Sequence, residues 1–233
     1  MPGYIIHLAM AEEVLKEINH TSDDFGYMYR IGSIVPDTEK TGHKQRSHFW
    51  TDDMLAHFVR KPDLDMFLSK YGNRLAEPYV LGYYSHLLLD YNFVSYYWRE
   101  HYTFYDDKGT ICDVYAKVKW VHNLDTDERI DRDTFFSDKY YYGDYDRMNR
   151  YLVDVYGIPE IDVDTDIIDY GGIKEVQNEK CKDRLCDMLT FLNESHAGVK
   201  HENVAFVPML RSFDMEELKK LISNTASIIL QRM

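Results

Sequence analysis

The chain has 233 residues but only three cysteines, six prolines and twelve glycines. Cys112, Cys181 and Cys186 have neither an even count nor a C-x-x-C spacing. A disulfide-stapled scaffold and a cysteine-bound zinc are therefore not expected, and the thiols suit a reducing, cytoplasmic setting. Basic residues are also short, with 27 Lys and Arg against 40 Asp and Glu and a formal net charge of -13. Such a surface repels polyanions, which argues against duplex nucleic acid as a partner. Long apolar runs are missing: no stretch approaches the roughly 18 uninterrupted apolar residues of a transmembrane segment. The opening Met1-Pro2-Gly3-Tyr4-Ile5-Ile6-His7 lacks the basic start of a signal peptide. Familiar catalytic signatures are absent too. No histidine is followed directly by aspartate, and there is no H-E-x-x-H, G-x-x-x-x-G-K-[ST] or G-x-S-x-G. HD-type phosphohydrolases, zincins, P-loop NTPases and nucleophile-elbow hydrolases are thereby set aside.

What is present is 45% hydrophobic and 29% charged, the balance of a soluble globular protein. Residues 1–233 are read as one domain, long enough to bury a sizeable core. Apolar positions at helical spacing predict helices over Tyr4–Ile18, over Pro62–Lys70 with a stop at Gly72, over Asp144–Tyr156, over Ile173–Leu192, and from Asp214 onward. Pro78 suits the first turn of a long helix running to about Glu100. That helix is apolar nearly all round, which makes it the centre of its bundle. Residues 102–140 are less regular, and Thr110–Val121 could be a short strand or a helix end. The expected fold class is all-α: a multi-helix bundle with a metal site on a central buried helix and a small irregular insertion.

Three local readings carry alternatives. Asp162-Val163-Asp164-Thr165-Asp166 imitates the start of a calcium loop, but Ile167 and Ile173 stand where glycine and a bidentate glutamate are needed, so an acidic helix-entry loop is expected. Tyr140-Tyr141-Tyr142-Gly143-Asp144-Tyr145 could line a pocket, with helix packing the preferred account. His7, in the first turn of its helix, reads as a capping or core residue unless partners for it appear.

The chemistry concentrates in Leu81-Gly82-Tyr83-Tyr84-Ser85-His86-Leu87-Leu88-Leu89-Asp90. His86 and Asp90 are four residues apart, so one helix face carries both, with Gly82 a turn away to admit another backbone. Buried ionisable groups must be paired or metal-bound, and imidazole with carboxylate suits Zn²⁺ or another divalent ion. A purely structural His–Asp pair is the alternative. Before this helix, Pro36 halts the run Ile31-Gly32-Ser33-Ile34-Val35 and leaves Asp37 at the start of a loop that carries Gly42, His43, Lys44 and Gln45, then Ser47-His48-Phe49-Trp50.

The ordered series His7, Asp37, His48, His86 and Asp90 resembles the zinc-dependent phospholipase C family, including its many bacterial members of unassigned substrate. The resemblance rests on Pro2-Gly3-Tyr4-Ile5-Ile6-His7, Pro36-Asp37, Ser47-His48-Phe49 and Leu81 to Asp90, and covers about residues 1–100. It implies a helical bundle with clustered zinc ions that hydrolyses a phosphodiester with water activated at the metal. It further implies that Asp37, His48, His86 and Asp90 surround one ion, and that His7, Asp90 and the chain's amino terminus hold a second. Asp90 would then bridge, and the terminal amine would be that of Pro2 if Met1 is removed. The chain departs from the family after Asp90, where Tyr91-Asn92-Phe93-Val94-Ser95-Tyr96 lacks the further histidine, and no H-x-x-x-E pair follows. His101 or His122 could substitute, although core or surface roles suit each of them better.

Two functions are therefore expected to compete. One is a metal-dependent hydrolase acting on a small phosphoester through one or two zinc ions or another divalent metal, with Asp37 as ligand or general base. The other is a non-catalytic binding or scaffold protein stapled by a structural metal.

Overall fold

The computed structural model describes residues 2–18, 23–39, 43–197 and 208–233, apart from the side chains of Ser195 and Ala197. The fold is predominantly helical. In chain order the α-helices are α1 (Tyr4–Ile18), α2 (Asp23–Ile34), α3 (Lys44–Ser47), α4 (Leu64–Tyr71), α5 (Pro78–Asn92), α6 (Trp98–His101), α7 (Arg132–Phe135), α8 (Tyr141–Tyr156), α9 (Ile167–Tyr170), α10 (Glu179–Ala197) and α11 (Met215–Leu230). Three short strands, β1 (Tyr102–Tyr105), β2 (Trp120–Asn123) and β3 (Glu128–Asp131), form an antiparallel meander. Among the described residues no helix is long and apolar enough to cross a membrane.

α5 is the axis of the bundle, as its composition predicts: apart from Tyr91, every residue from Tyr79 to Asn92 is buried. Pro78 stands in its first turn, where a missing N–H costs no helical bond. α2 crosses α5 at two glycines. A Cβ on Gly82 would lie 2.2 Å from the Tyr29 carbonyl oxygen, and one on Gly32 would lie 2.1 Å from that of Tyr79. The two backbones thus touch where any side chain would hold them apart. Tyr29 Oη and Ser85 Oγ, 2.7 Å apart, tie the same crossing. α1 packs on α2, α8 and α11, and α11 also packs on α5.

Helix ends follow their capping chemistry. The Asp63 carboxylate accepts from Met66 N at 2.8 Å to start α4, and Asp214 accepts from Glu217 N at 2.9 Å to start α11. Gly157, with φ 63°, ends α8 in the left-handed conformation. Asp166, with Asp164 Oδ1 accepting its N–H at 3.0 Å, leads into α9, so the acidic segment is a helix entry.

Several boundaries differ from the sequence expectation. The helical path beyond Asp90 does reach His101, but through a π-helical stretch, Phe93–Tyr97, that widens the turn before α6. Asp37 lies in a 3₁₀ turn, Val35–Thr38, that continues from α2. α10 begins at Glu179, since Ile173 and Val176 are buried in turns that follow Gly172, whose φ is 65°. The insertion holds all three strands, β1, β2 and β3, and of the span Thr110–Val121 only Trp120 and Val121 are in a strand, with residues 110–119 mostly irregular. Val121 pairs with Ile130 on the sheet face that also buries Tyr102 and Phe104. The segments 19–22, 40–42 and 198–207 fall outside the described residues.

Candidate metal centre

α5 carries His86 and Asp90 on the face turned toward α1 and α2, and both side chains are fully buried. α1 contributes His7, whose ring stacks on that of His86 with centroids 3.6 Å apart. α3 ends at His48, and the 3₁₀ turn brings in Asp37. The five residues singled out by their order in the chain thus converge from four elements. His86 Nε2 is 3.4 Å from Asp90 Oδ2 and 3.4 Å from His48 Nε2. His48 Nε2 is in turn 3.5 Å from Asp90 Oδ2 and 3.5 Å from Asp37 Oδ1. On the other side, His7 Nε2 lies 3.6 Å from Asp90 Oδ1.

These spacings fit a cation better than a hydrogen-bonded cluster. Both oxygens of Asp90 and both ring nitrogens of His7 are buried without a hydrogen-bond partner, a costly state for four polar atoms in one place. Four donors around a tetrahedral zinc, with bonds of about 2.0–2.1 Å, would be separated by about 3.3–3.4 Å. Of the six edges among Asp37 Oδ1, His48 Nε2, His86 Nε2 and Asp90 Oδ2, the four named above lie within 0.2 Å of that, at 3.4–3.5 Å. The groups His7–His86–Asp90 and Asp37–His48–His86 can each hold a metal ion, and they share His86. An imidazole nitrogen serves one ion, so His7 and Asp90 Oδ1 are left as the start of a second site. Pro2 is buried at the wall of the adjoining cavity, while Met1 lies outside the described residues.

The remaining nitrogens are occupied in the manner of metal-binding histidines. His86 Nδ1 is 2.8 Å from the Ser33 carbonyl oxygen, to which it can only donate, so its Nε2 lone pair faces Asp90. His48 Nδ1 is 2.9 Å from Ser47 Oγ, a hydroxyl that can donate or accept, and this contact orients the ring. Tyr83 Oη donates to the Ser47 carbonyl at 2.6 Å and anchors α3 to α5.

Charge states agree with this arrangement at every member except His86, whose protonated form the Asp90 charge favours and which must lose that proton to ligate. Burial, reinforced by His86, pushes His7 down to about 4, and burial also lowers His48. Burial would raise Asp90, but the neighbouring imidazoles prevail and hold its carboxyl well below the usual range. Burial would raise Asp37 too, and there Lys44, with help from His48, outweighs it and holds the carboxyl low. Burial would lower His86, but the Asp90 charge outweighs it and raises the group. Ionised carboxylates and neutral His7 and His48 are the forms that bind metal.

Lys44, which the sequence places in a polar loop without singling it out, stands 2.5 Å from Asp37 Oδ1. Its four-residue spacing to His48 is the only sequence signal that could have drawn attention to it. Both it and Asp37 border a cavity of about 880 Å³, whose walls include Pro2, Tyr142, Tyr145 and Arg184. The tyrosine cluster therefore does line a pocket as well as pack: Tyr141, Tyr142 and Tyr145 all face this cavity, and Tyr145 Oη donates to Tyr141 Oη at 2.8 Å. His101 and His122 stand elsewhere, paired with Asp125 at 2.6 Å and with Asp127 at 2.8 Å. His101 follows Asp90 by eleven residues, about 16 Å along a helix axis, and neither histidine reaches the centre.

Fold and site together define a mainly helical protein with a buried histidine–aspartate group able to hold a metal ion. No family model, curated protein or solved structure matches the chain.

Proposed function

We propose that the protein is a zinc-dependent hydrolase of small phosphoesters, related to the zinc-dependent phospholipase C family by the motif resemblance around His7, Asp37, His48, His86 and Asp90. The observation that carries this reading is that Asp37, one of the four convergent donors, forms part of the wall of a cavity of about 880 Å³. That volume lies in the range of small-molecule sites. A bound divalent ion would supply Lewis-acid chemistry there, polarising a phosphoryl oxygen and bringing the pKa of a water toward about 7.

The residues divide the remaining work. Asp37, His48, His86 and Asp90 would hold the ion, and His7 with Asp90 Oδ1 would contribute to a second. Ser33 and Ser47 orient the two imidazoles. Of the two roles open to Asp37, ligation suits its environment better: a carboxylate so stabilised in its ionised form is a weak base. Tyr141 and Tyr145 form part of the cavity wall.

A second reading, a structural metal in a binding protein, draws on the same four donors, which would saturate a tetrahedral ion. Elemental analysis of the purified protein together with assays on phosphomonoesters and phosphodiesters separates the two. Metal-dependent turnover abolished by a chelator and restored by zinc supports the hydrolase, and stoichiometric metal with no turnover on any phosphoester supports the staple.

A further inference from the structure

Lys44 is out of place in a site built only to hold cations. An ammonium beside Asp37 competes for that carboxylate and repels any divalent ion that the carboxylate binds. The charges can be counted. Asp37 and Asp90 together neutralise one divalent ion, the three histidines are neutral as ligands, and Lys44 leaves an excess positive charge. A second ion increases that excess. Among the described residues the only acceptor bonded to the Lys44 ammonium is Asp37, and Glu39 on the same cavity wall accepts from Asn178 Nδ2 at 3.0 Å instead. The side chain retains 26% exposure and borders the cavity, with Tyr142 beside it. Lys180 and Arg184 project from α10 next to Asp183 and Asp187, which belong to the same wall.

We propose that Lys44 is the substrate-binding residue that anchors an oxyanion in this cavity, of the phosphoryl class, held between its ammonium and the metal centre. Resting on the hydrolase reading above, this inference adds a specificity element: the ligand must bring negative charge to the Asp37 side of the site. Lysine suits the task as a compact charge with three donors, of which Asp37 takes one. Its position on α3, one turn before His48, couples the anchor rigidly to a metal-binding side chain.

The test uses the zinc-loaded full chain and inorganic phosphate as probe, with metal content measured first and phosphate affinity then measured by titration calorimetry. Lys44→Gln is expected to keep its metal equivalents and its circular dichroism spectrum while binding phosphate at least about tenfold more weakly, the scale of a lost charge-assisted hydrogen bond. Lys44→Arg is expected to stay within a few-fold of the parent. Equal phosphate affinity in the parent and in fully loaded Lys44→Gln would overturn the anchor and leave the hydrolase reading intact. Loss of metal from Lys44→Gln would overturn it as well, since Lys44 would then be a support for Asp37. A parent protein that takes up no zinc at all would overturn both readings together.

Discussion

The Nδ1 of His86 lies 2.8 Å from the carbonyl oxygen of Ser33, and this bond exists because α2 and α5 touch at Gly32 and Gly82. The orientation of a candidate metal ligand is therefore set by a backbone contact a full turn away from it.

Gly82→Ala tests that dependence. Its Cβ would meet the Tyr29 carbonyl oxygen at 2.2 Å, and neither backbone can give way without parting the helices. A destabilisation of about 3 kcal/mol or more is expected in urea unfolding, at the upper end for a single added methyl. Metal content is expected to fall with it, because His86 loses its second-nitrogen partner.

His86→Ala and Asp90→Ala are each expected to abolish stoichiometric metal, since both side chains come from one rigid helix and the other donors cannot close the site. Full occupancy in either variant, by elemental analysis, would refute the assignment. In the metal-free protein Asp90→Asn should lower the melting temperature at neutral pH, because the neighbouring imidazoles favour the ionised carboxylate and lose that partner. Added zinc should stabilise the parent by several degrees and the variant hardly at all.

His7→Ala distinguishes one ion from two. His7 Nε2 lies 3.6 Å from Asp90 Oδ1, whereas His48 and His86 face Oδ2. The substitution should remove any second equivalent of zinc and spare the first. If zinc titration gives the same number of equivalents for parent and variant, the second site is absent and His7 is a packed ring.

Acid should unfold the metal-free protein early. The folded state holds His7 at about 4, below its ordinary value of 6.5, so between those values the unfolded chain binds the extra proton. The contribution of His7 is complete above pH 6.5 and is lost as the pH falls toward 4. His48 acts in the same direction, while His86, raised in the fold, opposes them by favouring lower pH. Thermal melts in chelator should show a net decline from pH 6.5 to 4, before the carboxylates protonate, and His7→Phe should flatten it.

The parts of this site that the sequence reveals are those with a fixed local period. His86 and Asp90 are legible because four residues make one helical turn, and Gly82 because a bare position on a buried helix implies a close neighbour. Lys44 is not, because a lysine among polar residues looks like solvated charge, and only the packing of α3 against the Val35–Thr38 turn sets it beside Asp37. β1 and β3 escape, and β2 is touched only at Trp120 and Val121, because four residues contain too few alternations to establish a period of two. The start of α10 is misplaced for a related reason: Ile173 and Val176 are three apart and apolar because they are buried, although the chain there runs in turns.

The depth of the centre sets how long an ion stays. His7, His48, His86 and Asp90 are wholly enclosed, and only Asp37, at 10% side-chain exposure, meets the cavity. An ion entering or leaving by that route would pass the Asp37–Lys44 pair. Exchange with a chelator should then be slow even where affinity is modest, and the metal found in the purified protein would record which ion was available while the chain folded.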